Sequence, residues 1–118
     1  MSRRVVITGL GVVSPNGIGI PDFLHAIQNS ISGIKFMPQY EQLKFNCQVS
    51  GMPEFEWEQL RNYITETSLY GLKGKGIAYG LKAALDAWMD AGNNIVREET
   101  LWETGCIFGS SVADTDLI

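Results

Sequence analysis

The amino-acid sequence predicts an α/β fold with at least some parallel strand pairing. Three observations support this prediction: a β-branched run near the start (residues 5–7, VVI), a long helical pattern (residues 75–91) and a second apolar run (residues 105–109, GCIFG). Continuous apolar runs are typical of strands that are covered on both faces, as in parallel sheets. The predicted order of strand, helix, short strand, helix and strand favours a layered α/β architecture.

The first half of the chain alternates turn signals with short apolar patterns. Ser14-Pro15-Asn16-Gly17 predicts a turn, and Pro21 suits the first turn of a helix that we expect to stop near Gly33. Residues 45–49 (FNCQV) alternate apolar and polar side chains and predict a short strand. Residues 54–70 show a weaker helical spacing, because Thr65, Thr67 and Ser68 interrupt it.

The clearest helix is predicted from Lys75 to Ala91, and Gly92 ends it. Its apolar residues recur at helical spacing: Ile77, Leu81, Ala84, Leu85 and Trp88. Several alanines, among them Ala83, Ala87 and Ala91, are small enough to let another helix or a strand approach closely. After a polar linker, residues 105–109 are predicted as a second buried strand, followed by a loop at residues 110–114.

Composition limits the classes of protein to which the chain can belong. The 118 residues fit one domain, and 45% hydrophobic with 19% charged residues is an ordinary globular balance. The net charge is −4 and no run of Lys or Arg forms a stripe, which argues against a nucleic-acid partner. No apolar stretch approaches the ~18 residues of a membrane span, and none resembles a signal-peptide core, so we expect a cytoplasmic protein.

Cysteine and histidine residues do not form a recognisable metal site in the sequence. Cys47 and Cys106 are far apart, and His25 is the single histidine, so no zinc-ligand spacing is present and no cofactor is indicated. Both cysteines lie in apolar, strand-like runs and are predicted to be buried. His25 lies on or beside the apolar stripe of the first helix, where it either packs or faces solvent.

Gly9 and Gly11, directly after the first predicted strand, permit more than one interpretation. A dinucleotide-binding motif would need a third Gly or Ala where Ser14 stands, and it would need the helix to start at once. Pro15 favours an extended Ser14 instead, and the helix is predicted only from about Pro21. A structural turn in an unnamed fold is a further possibility.

Four segments of the chain resemble the β-ketoacyl-acyl carrier protein synthases, the condensing enzymes of fatty acid and polyketide synthesis. They are RVVITGLGVVSPNG at residues 4–17, SGI at residues 32–34, AALDAWMDAG at residues 83–92 and GCIFGSSV at residues 105–112. The resemblance covers essentially the whole chain. It implies that residues 1–118 are the incomplete N-terminal half of a thiolase-like domain, whose fold has five α-β-α-β-α layers.

The resemblance also implies an acyltransferase chemistry. Family members load an acyl group onto a cysteine, decarboxylate malonyl-acyl carrier protein with the help of two histidines, and join the two units by a Claisen condensation. These three residues are expected beyond Ile118; neither Cys106 nor His25 is one of them. Val112 stands where family members often have an apolar residue against the acyl-chain pocket, although a simple core position is the alternative.

The partners implied by the resemblance are acyl carrier protein and a second subunit, in a homodimer or a heterodimer. Alone, the 118 residues are expected to be inactive and to have exposed strand edges. Two alternatives remain open. Residues 62–71 (NYITETSLYG) have no basic side chain for the acidic carrier protein, which suits a non-catalytic partner subunit similar to a chain-length factor. The other alternative is a nucleotide-binding module.

Overall fold

The structure is a computed structural model. It describes residues 3–61, 63–64, 74–93 and 103–110. The strands are β1 (Val13–Ser14), β2 (Gly17–Ile18), β3 (Ile34–Phe36) and β4 (Val49–Gly51). The helices are α1 (Ile20–Gln28), α2 (Pro38–Gln42), α3 (Glu58–Arg61) and α4 (Lys75–Asp90). This mixture of helices and strands agrees with the predicted α/β class.

The strands form two small sheets, each of two strands. β1 pairs with β2, with Val13 opposite Ile18, and β3 pairs with β4, with Phe36 opposite Val49. Both pairings are antiparallel, so the predicted parallel pairing is not found within the described ranges. The first hairpin turns at Pro15 and Asn16, as the turn signal predicted.

Helix α1 begins where the sequence indicated but ends earlier. Pro21 lies in its first turn, where its missing N–H costs no hydrogen bond, and Asp22 lies near the positive end of the helix dipole. The helix ends at Gln28 rather than near Gly33, because Asn29 caps it and Ser30 adopts a positive φ of 55°. The second predicted strand is also displaced: β4 contains Val49 but not residues 45–48, and its partner β3 was not predicted.

The long helix α4 follows its prediction closely, ending at Asp90 with Ala91 as its cap. Its buried Ala78 joins Phe55 and Leu60 in a small core cluster. Aromatic rings pack around this cluster. The ring centroid of Phe55 lies 5.4 Å from that of Tyr79 and 6.1 Å from that of Trp57, and both pairs are edge to face. Such aromatic pairs contribute more to the stability of the fold than their buried area alone would give.

Two predictions of buried strands are wrong for the described residues. Residues 5–7 belong to neither sheet, and the side chains of Val5 and Ile7 are 95% and 82% exposed. Residues 105–109 are likewise in neither sheet, and Ile107 is 99% exposed. Apolar sequence favours a strand, but a strand also needs hydrogen-bonding neighbours, and the described residues supply none here. None of the helices in the described ranges is long and apolar enough to span a membrane.

Candidate functional site

The glycine-rich segment lies directly against helix α4. A methyl group on Gly11 would overlap the carbonyl oxygen of Ala83 and lie 2.8 Å from the amide nitrogen of Ala87. A methyl group on Gly9 would overlap the Ala87 carbonyl and lie 2.6 Å from the amide nitrogen of Ala91. The predicted close approach to the small residues of the helix is therefore confirmed, and it is the two glycines that make this approach.

A charged side chain fixes the same junction. The backbone N–H of Leu10, between the two glycines, donates a hydrogen bond to Oδ2 of Asp90 at 2.9 Å. Asp90 is the last residue of helix α4, where the negative end of the helix dipole disfavours a carboxylate. The hydrogen bond offsets this unfavourable placement, so Asp90 joins the glycine-rich segment to the end of the helix.

The turn after the glycines is held by its own polar side chains. Ser14 Oγ accepts a hydrogen bond from the backbone N–H of Asn16 at 3.1 Å. Asn16 Nδ2 donates to the carbonyl oxygen of Ile31 at 2.6 Å, which ties the turn to the chain beyond helix α1. Gly33 packs on the backbone of Pro15, so closely that an added methyl group would overlap it. The turn is thus a packed structural element.

This geometry differs from a dinucleotide-binding loop. Such a loop leads at once into a helix whose first N–H groups face the pyrophosphate. Here the hairpin β1–β2 intervenes, helix α1 begins only at Ile20, and the backbone of Gly9 and Gly11 faces helix α4. The described residues therefore give no support to the nucleotide-binding alternative.

The cysteines and the histidine lie apart from one another and do not form a site. Cys47 and Cys106 are both exposed free thiols, so the prediction that they are buried is wrong. In each case the predicted strand is not found at the cysteine: Cys47 precedes β4, and Cys106 lies at residues 104–110, which belong to neither sheet. His25 is exposed on helix α1, and its Nδ1 lies 3.2 Å from Asn29 Nδ2. No metal-binding group of His, Cys, Asp and Glu occurs in the ranges that the structure describes.

Two ion pairs among the described residues differ in how far solvent reaches them. Lys35 on β3 pairs with Glu54, and the hydrogen bond and positive charge of Lys35 lower the pKa of the Glu54 carboxyl below 4.5. On helix α4, Lys82 Nζ lies 2.5 Å from both carboxylate oxygens of Asp86. The side chains of this second pair are only 14% and 17% exposed, so solvent screens it less than the first.

Several sequence predictions fall outside the described residues. Val112, the candidate acyl-pocket residue, is one of them, as are residues 62 and 65–71 of the segment that lacks basic side chains.

The sequence patterns assigned no role to Asp90, although its side chain joins helix α4 to the glycine-rich segment. An available signal was the carboxylate at the end of a long helix, a position that the helix dipole disfavours and that therefore needs a compensating partner.

Comparison with known proteins identifies the family. The model of the beta-ketoacyl synthase N-terminal domain matches residues 2–117, and the chain belongs to this family. The resemblance found in the sequence motifs is thereby confirmed.

Individual relatives agree with the family match. The chain is 30% identical over 113 residues to 3-oxoacyl-[acyl-carrier-protein] synthase 2 of Coxiella burnetii, and this match covers 93% of the chain. It is also 30% identical over 117 residues to the enzyme of the same name from Vibrio cholerae. A Streptomyces halstedii protein named as polyketide beta-ketoacyl synthase 1 is 28% identical over 122 residues.

The chain spans about a quarter of the length of these relatives. The matched part is 26% of the Coxiella and Streptomyces proteins and 27% of the Vibrio protein. The glycine-rich segment and helix α4 both lie within the region that the family model matches.

Proposed function

We propose that this chain is the N-terminal part of a β-ketoacyl-acyl carrier protein synthase, an acyltransferase of fatty acid or polyketide synthesis. The observation that carries the proposal is the family match over residues 2–117. The packing of Gly9 and Gly11 on helix α4 supports it, because two of the resembling segments, residues 4–17 and 83–92, meet there. The parent protein would act in the cytoplasm as a homodimer or heterodimer.

The proposed reaction is a decarboxylative Claisen condensation. A cysteine thiolate attacks the carbonyl of an acyl thioester and expels the thiolate of the carrier, which leaves an acyl-enzyme. Malonyl-acyl carrier protein then loses CO₂, and the electron pair of the broken bond forms an enolate that histidines and backbone N–H groups stabilise. The enolate carbon attacks the acyl-enzyme carbonyl, the cysteine thiolate leaves, and a β-ketoacyl thioester results.

In this proposal the present chain contributes structure rather than catalytic groups. The cysteine and the histidines would come from polypeptide beyond residue 118, so the 118 residues alone would not catalyse condensation. The thiolase-like layering of the complete domain, of which residues 1–118 would be the incomplete N-terminal half, is part of the same proposal. Val112 would line the acyl-chain pocket.

The experiment is a chimera in which residues 2–117 replace the matching segment of the Coxiella synthase. If the chain is a working N-terminal part, the chimera forms β-ketoacyl-acyl carrier protein from acyl- and malonyl-acyl carrier protein. The matched control is the same chimera with the nucleophilic cysteine of the Coxiella portion changed to alanine. A folded chimera that loads acyl groups no better than this control would contradict the proposal.

A further inference from the structure

The turn between β1 and β2 contains a chemically reactive pair of residues. Asn16 is followed by Gly17, and it is the one asparagine of the sequence that precedes a glycine. In such a pair the backbone nitrogen of the glycine can attack the side-chain carbonyl carbon of the asparagine, because glycine has no Cβ to hinder the approach. Asn16 is only half-buried, so solvent water reaches it.

The fold requires glycine at position 17. A methyl group there would lie 2.7 Å from the amide nitrogen of Phe23 and 2.8 Å from the carbonyl carbon of Asp22. Both are backbone atoms of helix α1, and they cannot rotate away as a side chain could. A residue with a side chain, which would slow the attack on Asn16, is therefore excluded by the packing of the hairpin on helix α1.

Contacts on several sides hold the Asn16–Gly17 pair in place. Ser14 Oγ accepts a hydrogen bond from the Asn16 backbone N–H and donates one to the carbonyl oxygen of Gly17 at 3.3 Å. The Asn16 side-chain amide donates to the carbonyl oxygen of Ile31. Gly33 is buried behind the turn, where an added methyl group would lie 2.7 Å from the Asn16 amide nitrogen. The attack requires the side chain and the Gly17 nitrogen to rotate toward each other, so these contacts must open first.

We propose that Asn16 is a site of spontaneous deamidation, which the closed turn suppresses and each opening of the turn permits. The Gly17 nitrogen gives up its proton to solvent and attacks Cγ of Asn16. The bond from Cγ to Nδ2 breaks, and the nitrogen takes up a proton and leaves as ammonia. Water then opens the cyclic imide at either of its two carbonyl carbons, which leaves aspartate or isoaspartate. The step needs no oxidant, reductant or enzyme, and it is independent of the proposed function.

Deamidation releases the turn and prevents it from closing again. The new carboxylate has no N–H to donate to Ile31, and its negative charge faces that carbonyl oxygen. Isoaspartate also adds a carbon atom to the backbone inside a turn of two residues, which disturbs the pairing of Val13 with Ile18. Since the reaction does not reverse, the modified fraction of the chains records how often the turn has opened.

The test follows deamidation of the purified 118-residue chain at mildly alkaline pH, by mass spectrometry of its peptides and by enzymatic methylation of isoaspartate. Asn16 should react at least about tenfold more slowly in the folded chain than in guanidinium chloride, because only the open turn reacts. Ser14→Ala removes a hydroxyl that holds the turn, so it should speed the reaction of the folded chain and leave the rate in guanidinium chloride unchanged. Asn29, which precedes Ser30, is the internal control and should react far more slowly than Asn16 in guanidinium chloride.

Three results would overturn the proposal. Equal rates in the folded chain and in guanidinium chloride would show that the turn gives no protection. A folded Ser14→Ala variant that reacts no faster than the native chain would show that the turn contacts do not control the reaction. Asn16 and Asn29 reacting equally fast in guanidinium chloride would show that Gly17 does not make position 16 a special site.

Thermal unfolding provides a second measurement that does not depend on Ser14→Ala. Asn16→Asp reproduces one product of the reaction, and its melting temperature should fall by about 4 °C, because the hydrogen bond to Ile31 is lost. Asn46→Asp makes the same change at an exposed position before β4, and this control should melt with the native chain. An Asn16→Asp variant as stable as the control would overturn the release of the turn.

Discussion

Leu10 and Asp90 are joined by a hydrogen bond from the Leu10 backbone N–H to the Asp90 carboxylate, 2.9 Å long, across 80 positions of sequence. This bond connects the glycine-rich segment to the last residue of helix α4. The glycines on either side of Leu10 bring the segment close enough for it to form. The junction therefore depends on the absence of side chains at Gly9 and Gly11 and on the carboxylate of Asp90.

Replacing Asp90 by alanine should weaken this junction. The substitution removes the acceptor of the Leu10 N–H, and we expect the free energy of unfolding to fall by about 1 kcal/mol, since the site is open to solvent. Asp90→Asn keeps an acceptor oxygen and should lose less. Urea unfolding followed by circular dichroism measures both, with Glu56→Ala as the control at an exposed carboxylate. An Asp90→Ala variant as stable as the control would contradict the role of the bond.

Replacing Gly11 by alanine should be more damaging. The new methyl group would overlap the Ala83 carbonyl oxygen, which is backbone and cannot rotate away, so helix and segment must separate. Overpacking of this kind costs about 1–3 kcal/mol. Gly105→Ala is the matched control, because nothing lies within 4 Å of its added methyl group. Equal stability of the two variants would show that the close approach is unimportant.

The Lys35–Glu54 ion pair should make stability depend on pH in the acid range. Lys35 lowers the pKa of Glu54 in the folded chain below 4.5, its ordinary value, so the folded state holds the proton less tightly than the unfolded state. The stabilisation is therefore fully present above about pH 5 and is lost as the pH falls through the lowered pKa. Unfolding curves of the native chain and of Glu54→Gln should diverge at neutral pH and converge in acid. A constant difference between them at every pH would contradict this account.

The Lys82–Asp86 pair should show a larger coupling energy than the Arg61–Glu58 pair. Lys82 and Asp86 are mostly shielded from solvent, whereas Arg61 and Glu58 are both more than half exposed. Exposed pairs are screened and contribute little, and breaking a shielded pair leaves a poorly solvated charge. A double-mutant cycle on each pair, with alanine substitutions, measures the two couplings. A coupling at Lys82–Asp86 no greater than at Arg61–Glu58 would refute the effect of burial.

Helices and turns were predicted from the sequence better than the pairing of strands into sheets. Helix α4 and the turn at Pro15 depend on periodicity, small residues and turn chemistry, which all lie within a few positions of one another. The strand predictions at residues 5–7 and 105–109 failed because a strand is completed only by neighbours that the local pattern does not specify. Cys47 and Cys106 were predicted to be buried for the same reason, since Cys47 was placed in the strand predicted at residues 45–49 and Cys106 in the one at residues 105–109.

For the candidate site, the sequence motifs predicted the protein family but not the contacts between residues. The motifs at residues 4–17 and 83–92 identified the condensing enzymes, and the family match agrees. The contact between these two motifs was foreseen only in part: the alanines of helix α4 indicated a close neighbour, but not that Gly9 and Gly11 would be that neighbour. The hydrogen bond of Asp90 could not be derived from periodicity, because it joins a side chain to a distant backbone group.

The central claim is that residues 2–117 form a working N-terminal part of a β-ketoacyl synthase, and turnover of the Coxiella chimera tests it most directly. The measurement is the rate at which the purified chimera forms β-ketoacyl-acyl carrier protein, compared with the cysteine-to-alanine chimera and with the 118-residue chain alone. The account predicts turnover for the chimera and none for either control. A well-folded chimera that gives no product, or turnover by the 118-residue chain alone, would contradict it.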